Sequence, residues 1–480
     1  MREWRRGGAA LLVMLALAFL GRARADELVL EYVDEQAEAA TDLAQDIWSL
    51  AELGYLEEQS SQRLQAFLGD RGFRIETEAA DIPTAFIASA GSGEPVIGIL
   101  AEFDALPGLS QAAVPHRQPL EKDGAGHACG HHLFGAASAT AGAAVAAWLA
   151  ETGRAGTVRV YGTPAEEGGS GKVYLTRAGR FDDVDVVLHW HPSDRNDASP
   201  SSSTSNKSGR FTFHGTAAHA AAAPERGRSA LDGVEAMNFM VNLMREHVPQ
   251  ESRLHYIITD GGDAPNIVPE QAQVYYYVRH PEAKQVTQLF ERVVKAAEAA
   301  AIGTGTRMEY EVMHGNFPLL SNDVLARLMN DNLKRLGGIE YGPEEQAFAQ
   351  EIRKTLPGDL PPVESAAEVQ PFIFRQNMGS TDVGDVSWMV PTVGFGTATW
   401  VPGTPAHSWQ AAAASGMAIG IKGAVVAAKT LARTVQKLYL EPETIAAARA
   451  ELAERRGEDF VYAAFVGDRE PPLDSRAGGG

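Results

Sequence analysis

The sequence predicts an α/β chain in which a mostly parallel central sheet, flanked by helices, is interrupted by a smaller α+β sandwich. Three observations carry this reading. Strand and helix patterns alternate between Pro95 and His191, the order that builds a parallel sheet. The polar run from Ser199 to Asn206 is turn-forming and marks a break. Beyond it two helical patterns interleave with four strand patterns, and long helical patterns return from Ser321.

Taken in order, residues 1–25 carry Arg2, Arg5 and Arg6, then an apolar stretch from Ala9 to Leu20, then Ala23-Arg24-Ala25. That succession is a secretory signal, with Asp26 opening the mature chain in a periplasm or outside the cell. Glu35 to Gly69 has Ala and Leu at helical spacing. Pro95 to Ala101 is a continuous apolar run, as in a buried parallel strand, and it ends in Glu102-Phe103-Asp104. His131 to Leu149 is an Ala-rich helix, Thr157 to Tyr161 a strand, Gly171 to Gly179 a short helix, and Asp183 to His191 another strand. The inserted unit reads strand (209–214), helix (227–246), strands (254–259 and 271–278), helix (282–300) and strand (307–313). Pro391 to Thr399 is a strand and Gln410 to about Leu440 a helix, and the last 25 residues are expected to be peripheral. The expected division is a signal peptide (1–25), a catalytic domain in two parts (26–203 and 316–450), an inserted dimerisation or lid domain (204–315) and a tail (451–480).

Composition excludes several classes. Hydrophobic residues make up 45% and charged residues 22% of 480, which rules out a disordered chain, and a single cysteine rules out a disulfide scaffold. A net charge of -20 gives no electrostatic reason to bind nucleic acid or an anionic membrane. Beyond the signal, no run reads as transmembrane.

The run Gly126-His127-Ala128-Cys129-Gly130-His131-His132 carries the strongest chemical signal. A tight turn at Gly130 presents a thiolate and an imidazole to one ion, and these donors suit zinc, manganese, iron or cobalt. A cysteine nucleophile beside histidine is the competing reading. Thr163-Pro164-Ala165-Glu166-Glu167-Gly168-Gly169-Ser170-Gly171-Lys172 places two adjacent carboxylates in a Gly-rich loop after a strand. Neighbouring side chains point apart, so one can bind metal while the other handles a proton. In Val187-Leu188-His189-Trp190-His191 an extended strand turns His189 and His191 to one side; His191 is the preferred ligand and His189 an outer support. His407, in Gly403-Thr404-Pro405-Ala406-His407, completes the set only as a further donor to a two-metal site.

These runs, with Asp104-Ala105-Leu106-Pro107-Gly108 and Gly215-Thr216-Ala217-Ala218-His219-Ala220, resemble the dinuclear metallo-amidohydrolases: aminoacylases, dipeptidases, glutamate carboxypeptidases and auxin-conjugate hydrolases. Trp190-His191-Pro192, Ser380 to Trp388 and Gly403-Thr404-Pro405 are similar to the group of B-type p-aminobenzoyl-glutamate hydrolase subunits within that family. The resemblance implies two divalent ions, Mn2+ or Zn2+. Cys129 would bridge them, with His131 and His191 on one, and Glu167 and His407 on the other. Glu166 would be the general base and Asp104 an outer support. His219 would reach an active site from the inserted domain, and Asn266 and Arg279 would bind the substrate carboxylate. His132 departs from the Asp or Asn of many relatives. The implied activity is hydrolysis of an N-acyl or N-aroyl amino acid, p-aminobenzoyl-glutamate foremost; a dipeptide or an aryl-acetyl amino acid is the alternative. A homodimer, built by sheet edges or helices of the inserted domain, is expected.

Overall fold

The computed structural model describes residues 27–474; the expected signal and its cleavage at Ala25 lie outside them. Six strands make the central sheet: β1 (Arg74–Thr77), β2 (Phe86–Ser92), β3 (Val96–Ala101), β4 (Gly156–Gly162), β5 (Val186–Leu188) and, late in the chain, β11 (Thr392–Val393). Their order across the sheet is β1-β2-β4-β3-β5-β11. The run β4-β3-β5-β11 is parallel. The hairpin β1-β2 joins it antiparallel and covers one edge.

The helix His131–Thr152 packs against the sheet. It is long and apolar enough to cross a membrane, but 83% of its most apolar stretch is buried inside the fold, so it is a core helix. The long helical pattern from Glu35 is two helices, Ala37–Leu50 and Glu58–Gly69, parted where Ala51 takes a left-handed conformation. The break lets Gly54 sit on the backbone of Ala165, where any Cβ would lie 2.9 Å from the Ala165 Cα. The late helical pattern is likewise two helices, Trp409–Ser415 and Ala418–Leu440, bent by 71°.

The expected single strand from Asp183 to His191 is corrected. β5 ends at Leu188, and the chain begins β6 (His191–Ser193) in a separate two-stranded sheet with β12 (Gly396–Ala398). Trp190 enforces the switch: it is fully buried and its indole N–H donates to the Phe134 carbonyl at 3.2 Å.

The second unit is an antiparallel sheet of β7 (Ser205–His214), β8 (Arg253–Asp260), β9 (Gln271–His280) and β10 (Arg307–Asn316), in the order β10-β7-β9-β8. Helices Ala230–Met244 and Ala283–Thr304 cover one face over a core that includes Phe211, Val274, Tyr276 and Val293. Alternation along β9 sends Ala272, Val274, Tyr276 and Val278 into that core and turns Tyr277 and Arg279 to the other face. Those two residues line a large cleft shared with the ends of the parallel strands.

Residues 460–469 of the tail are not peripheral, as the sequence suggested. Phe460 packs on Trp388 and Phe465 on Phe317, each pair with ring centroids 4.9 Å apart. The Tyr462 hydroxyl donates to Asp385 at 2.7 Å, and Arg469 pairs with Glu311 of β10 at 2.7 Å. An aromatic-rich segment with a charged exterior thus straps the two units together.

Candidate metal centre

The carboxyl ends of β3, β4 and β5 deliver the site, as expected of parallel sheets. β3 runs into Glu102 and Asp104, β4 into the Glu166–Glu167 loop, and the segment after β5 into His189 and His191. Gly130 takes a φ of 75° at the start of helix His131–Thr152 and abuts Pro192, so Cys129 and His131 turn towards the same space.

Two donor triples result. Ligand atoms of Cys129, His131 and His191 lie within 4.8 Å of one another, and so do those of Cys129, Glu167 and His407. Cys129 belongs to both, the geometry of a bridging ligand. A third group joins Glu102, His131 and Glu166. The Cys129 Sγ is 3.5 Å from His191 Nε2, and His407 Nε2 is 3.2 Å from Glu167 Oε1.

Supporting hydrogen bonds fix which nitrogen faces the donor cluster. His131 Nδ1 donates to Asp104 Oδ1 at 2.8 Å, and His191 Nδ1 donates to the Pro192 carbonyl at 2.7 Å. With Nδ1 engaged, Nε2 is the ring nitrogen that faces the donor cluster in both histidines. The other oxygen of Asp104 accepts the Glu167 backbone N–H at 2.8 Å. His189 lines the cleft, its buried Nε2 has no hydrogen-bond partner among the described residues, and burial pulls its pKa down to about 3; the Nδ1 of His191 is held by the Pro192 carbonyl.

The charge balance fits cations. Glu102, Asp104 and Asp382 are buried, with Glu166 and Glu167 beside them, against one ammonium, Lys172. Burial pulls His131 down, but the fields of Cys129, Asp104 and Glu102 outweigh it and raise its pKa well above the ordinary value. Burial pushes the Cys129 thiol up, so the thiolate requires positive charge from elsewhere. Burial also raises Glu166 well above the usual range, reinforced by Glu102 and Glu167. Burial works the same way on Glu167, but the His407 hydrogen bond and the field of His131 overcome it and lower the pKa. The adjacent carboxylates are thus pushed apart, one towards proton transfer and one towards permanent charge.

The loop that holds them is folded on itself. A Cβ at Gly171 would lie 2.0 Å from the Pro164 carbonyl oxygen, and Ala165 and Ser170 both take left-handed conformations. Such strain costs roughly 1–3 kcal/mol per residue and persists where surroundings impose it. Here Glu57, fully buried, accepts the Ala165 N–H at 2.8 Å, and the Tyr55 hydroxyl donates to the Gly169 carbonyl at 2.6 Å.

Sequence reasoning missed three buried participants. Lys172 Nζ lies 2.8 Å from Glu102 Oε1 and 2.7 Å from Asp382 Oδ1, and Glu102 Oε2 lies 3.2 Å from His131 Nε2. Lys172, Glu102 and Asp382 all fall within or beside the motifs, but their pairing is legible only in three dimensions. Among the implied substrate groups, Arg279 lines the cleft, and its Nε has no hydrogen-bond partner among the described residues. His219 and Asn266 lie elsewhere: both are exposed, on loops joined by the Ala220 N–H to Asn266 carbonyl bond at 3.0 Å, and neither lines the cleft.

Comparison with known proteins agrees with this architecture. Residues 202–304 match the M20 peptidase dimerisation domain. The B-type subunit of p-aminobenzoyl-glutamate hydrolase from Escherichia coli K12 is 39% identical over 86% of this chain and 92% of its own. The chain belongs to the M20 peptidase family. A mouse Xaa-Arg dipeptidase is 30% identical over 88% of this chain and 90% of its own. A Bacillus subtilis dinuclear metal binding peptidase of the M20 family shares the fold with a TM-score of 0.54 at 18% identity, covering 84% of this chain and 99% of that one. This M20 chain is accordingly an amide-bond hydrolase. The α/β fold with an inserted α+β unit, expected from the sequence, is the fold of the family.

Proposed function

We propose that the protein is an exported, homodimeric, dinuclear amidase that releases an amino acid from an N-acyl or N-aroyl amino acid, with p-aminobenzoyl-glutamate the leading substrate. One observation carries it: Cys129 is shared by two donor triples on the wall of a cleft that also exposes Arg279. His131 and His191 would hold one ion, Glu167 and His407 the other, with Mn2+ or Zn2+ suiting these donors. Bound there, two divalent ions supply a water acidified towards neutrality and Lewis-acid polarisation of the amide carbonyl. Glu166 takes the proton of the attacking water and returns it to the leaving amine. Arg279 holds the substrate carboxylate with its two-pronged guanidinium. The bacterial relative's name supports p-aminobenzoyl-glutamate, and the mouse dipeptidase supports a dipeptide as the second reading.

The exposed positions of His219 and Asn266 support a dimer in which each copy lends these residues to its partner's cleft. Strand β8 is an open sheet edge with Ile257 and Ile258 exposed, and Phe239 and Leu243 stand out from helix Ala230–Met244. An edge and an apolar helix face of this kind suit pairing with a second copy. Export rests on residues 1–25, and mass analysis of secreted material should find Asp26 at the N-terminus.

The decisive experiment is a panel of N-acyl glutamates, N-acyl aspartates and dipeptides given to metal-reconstituted protein. Hydrolysis of p-aminobenzoyl-glutamate, lost on chelation and restored by Mn2+ or Zn2+, is the expected result. Activity that survives chelation would point to the cysteine nucleophile. Mixing inactive Glu166→Gln and His219→Ala chains tests the shared site, because only an exchanged dimer rebuilds one complete cleft.

A further inference from the structure

Every turn of the Glu166–Glu167 loop is held by a named partner. Four partners belong to the larger unit: Glu57 on the Ala165 N–H, Asp104 on the Glu167 N–H, Tyr55 on the Gly169 carbonyl and Asp382 on the Lys172 N–H at 2.9 Å. The fifth comes from the inserted unit. His314 Nδ1 lies 2.6 Å from the Ser170 hydroxyl, and both residues are buried.

The position of His314 is unusual. It lies two residues from the end of β10, where the chain leaves the inserted unit, and a bulge between Val312 and His314 interrupts the pairing with β7. Bulges re-aim side chains. Its Nε2 is 2.8 Å from the Asn206 amide nitrogen, on the second residue of β7, where the chain enters the unit. The imidazole therefore ties both crossings between the units to the loop that carries the two carboxylates. With the Asn206 amide donating to Nε2, the ring proton sits on Nδ1 and is donated to the Ser170 oxygen. Both ring nitrogens are engaged, so His314 has no free nitrogen for substrate although it borders the cleft.

We propose that His314 is a positioning residue that sets the Glu166–Glu167 loop by the angle of the inserted unit, so that the base is correctly placed only when that unit stands as it does here. Ser170 is the receiving end: it is held left-handed at the first turn of helix Gly171–Arg177, three residues after Glu167. A shift of β10 is passed through one short hydrogen bond into the backbone that aims Glu166. The proposal rests on Glu166 being the base.

The test uses the metal-loaded full chain. Ser170→Ala and His314→Ala should each keep two ions per chain by metal analysis and lose about 10- to 100-fold in kcat with KM little changed, the usual cost of removing a support behind a catalytic group. The double variant should be no slower than either single one. His314→Asn, whose amide can reach Ser170 in place of Nδ1, should recover most of the rate. Small-angle scattering of Ser170→Ala should show a wider spread of separations between the units than the parent. Wild-type kcat in Ser170→Ala, additive losses in the double variant, or a rise in KM at constant kcat would overturn the proposal. If His314→Ala does not fold, Ser170→Ala alone decides, since it removes only an oxygen. Full activity of Glu166→Gln would instead overturn the reading beneath it.

Discussion

Asp104 accepts the Nδ1 proton of His131 at 2.8 Å with one oxygen, while its other oxygen accepts the backbone N–H of Glu167 at the same distance. A single fully buried carboxylate therefore orients a donor of each triple, and the spacing between the two triples is referred to one side chain.

Asp104→Asn should for this reason weaken both ions together. The amide keeps the shape but offers an N–H on one side, either to His131, which then presents the wrong nitrogen, or to the Glu167 N–H, which then has no acceptor. Loss of such a support typically costs about 10- to 100-fold in metal affinity or activity. Competition titration with a chromophoric chelator should show both affinities reduced; weakening of only one ion would mean that the two triples are positioned independently.

The Lys172–Glu102–Asp382 network predicts a stability effect separable from catalysis. Burial lowers the Lys172 pKa, and the two carboxylates more than restore it. Lys172→Met leaves two buried carboxylates without their cation, a change that costs about 3–5 kcal/mol. The midpoint of urea unfolding should fall accordingly, and adding Asp382→Asn should recover part of the loss. An unchanged midpoint in Lys172→Met would show that the network contributes nothing net.

Asp385 predicts a pH effect. Burial raises its carboxyl to about 7, against the hydrogen bonds from Tyr462 and the Phe317 N–H. The folded protein binds this proton more tightly than the unfolded chain, so the contribution is full below about pH 4 and is lost as pH rises through about 7. Every tenfold by which folding tightens the hold on the proton is worth about 1.4 kcal/mol. Asp385→Asn removes the group, so its stability relative to wild type should rise between pH 4 and 7 and level off above. A difference that stays flat across that range would show that Asp385 is charged in the folded protein.

The donor residues were legible because each lies in a short run whose glycines dictate a turn: Gly130 between Cys129 and His131, and Gly168, Gly169 and Gly171 after the glutamates. What was not legible depends on distance along the chain. Asp382 stands in a motif that the sequence singles out, but its partner Lys172 is 210 residues away. The switch at Trp190 depends on a carbonyl in another element, so alternation alone placed His189 and His191 on one strand. The strap after Arg456 reads as charged and peripheral because its aromatics, Phe460, Tyr462 and Phe465, are spaced for contact with separate surfaces and follow no period. His219 and Asn266 could be matched to a motif, but in the fold neither lines the cleft of its own chain.

Glu166 and Glu167 are chemically identical neighbours, so direction alone separates them. Glu167 lies with Cys129 and His407 in one donor triple, while Glu166 lies with Glu102 and His131 in another group. Glu167→Gln puts a neutral amide where an anionic ligand belongs, and the occupancy of one ion should fall. Glu166→Gln keeps all five donors of the two triples and should keep both ions. An amide at 166 accepts no proton, so kcat should fall by ~10²–10⁴-fold or more as general-base help is lost. KM should stay near the parent value, because Arg279 is untouched. Metal analysis beside kinetics on both variants separates the roles. An emptied metal site in Glu166→Gln, with both ions retained in Glu167→Gln, would reverse the assignment of base and ligand.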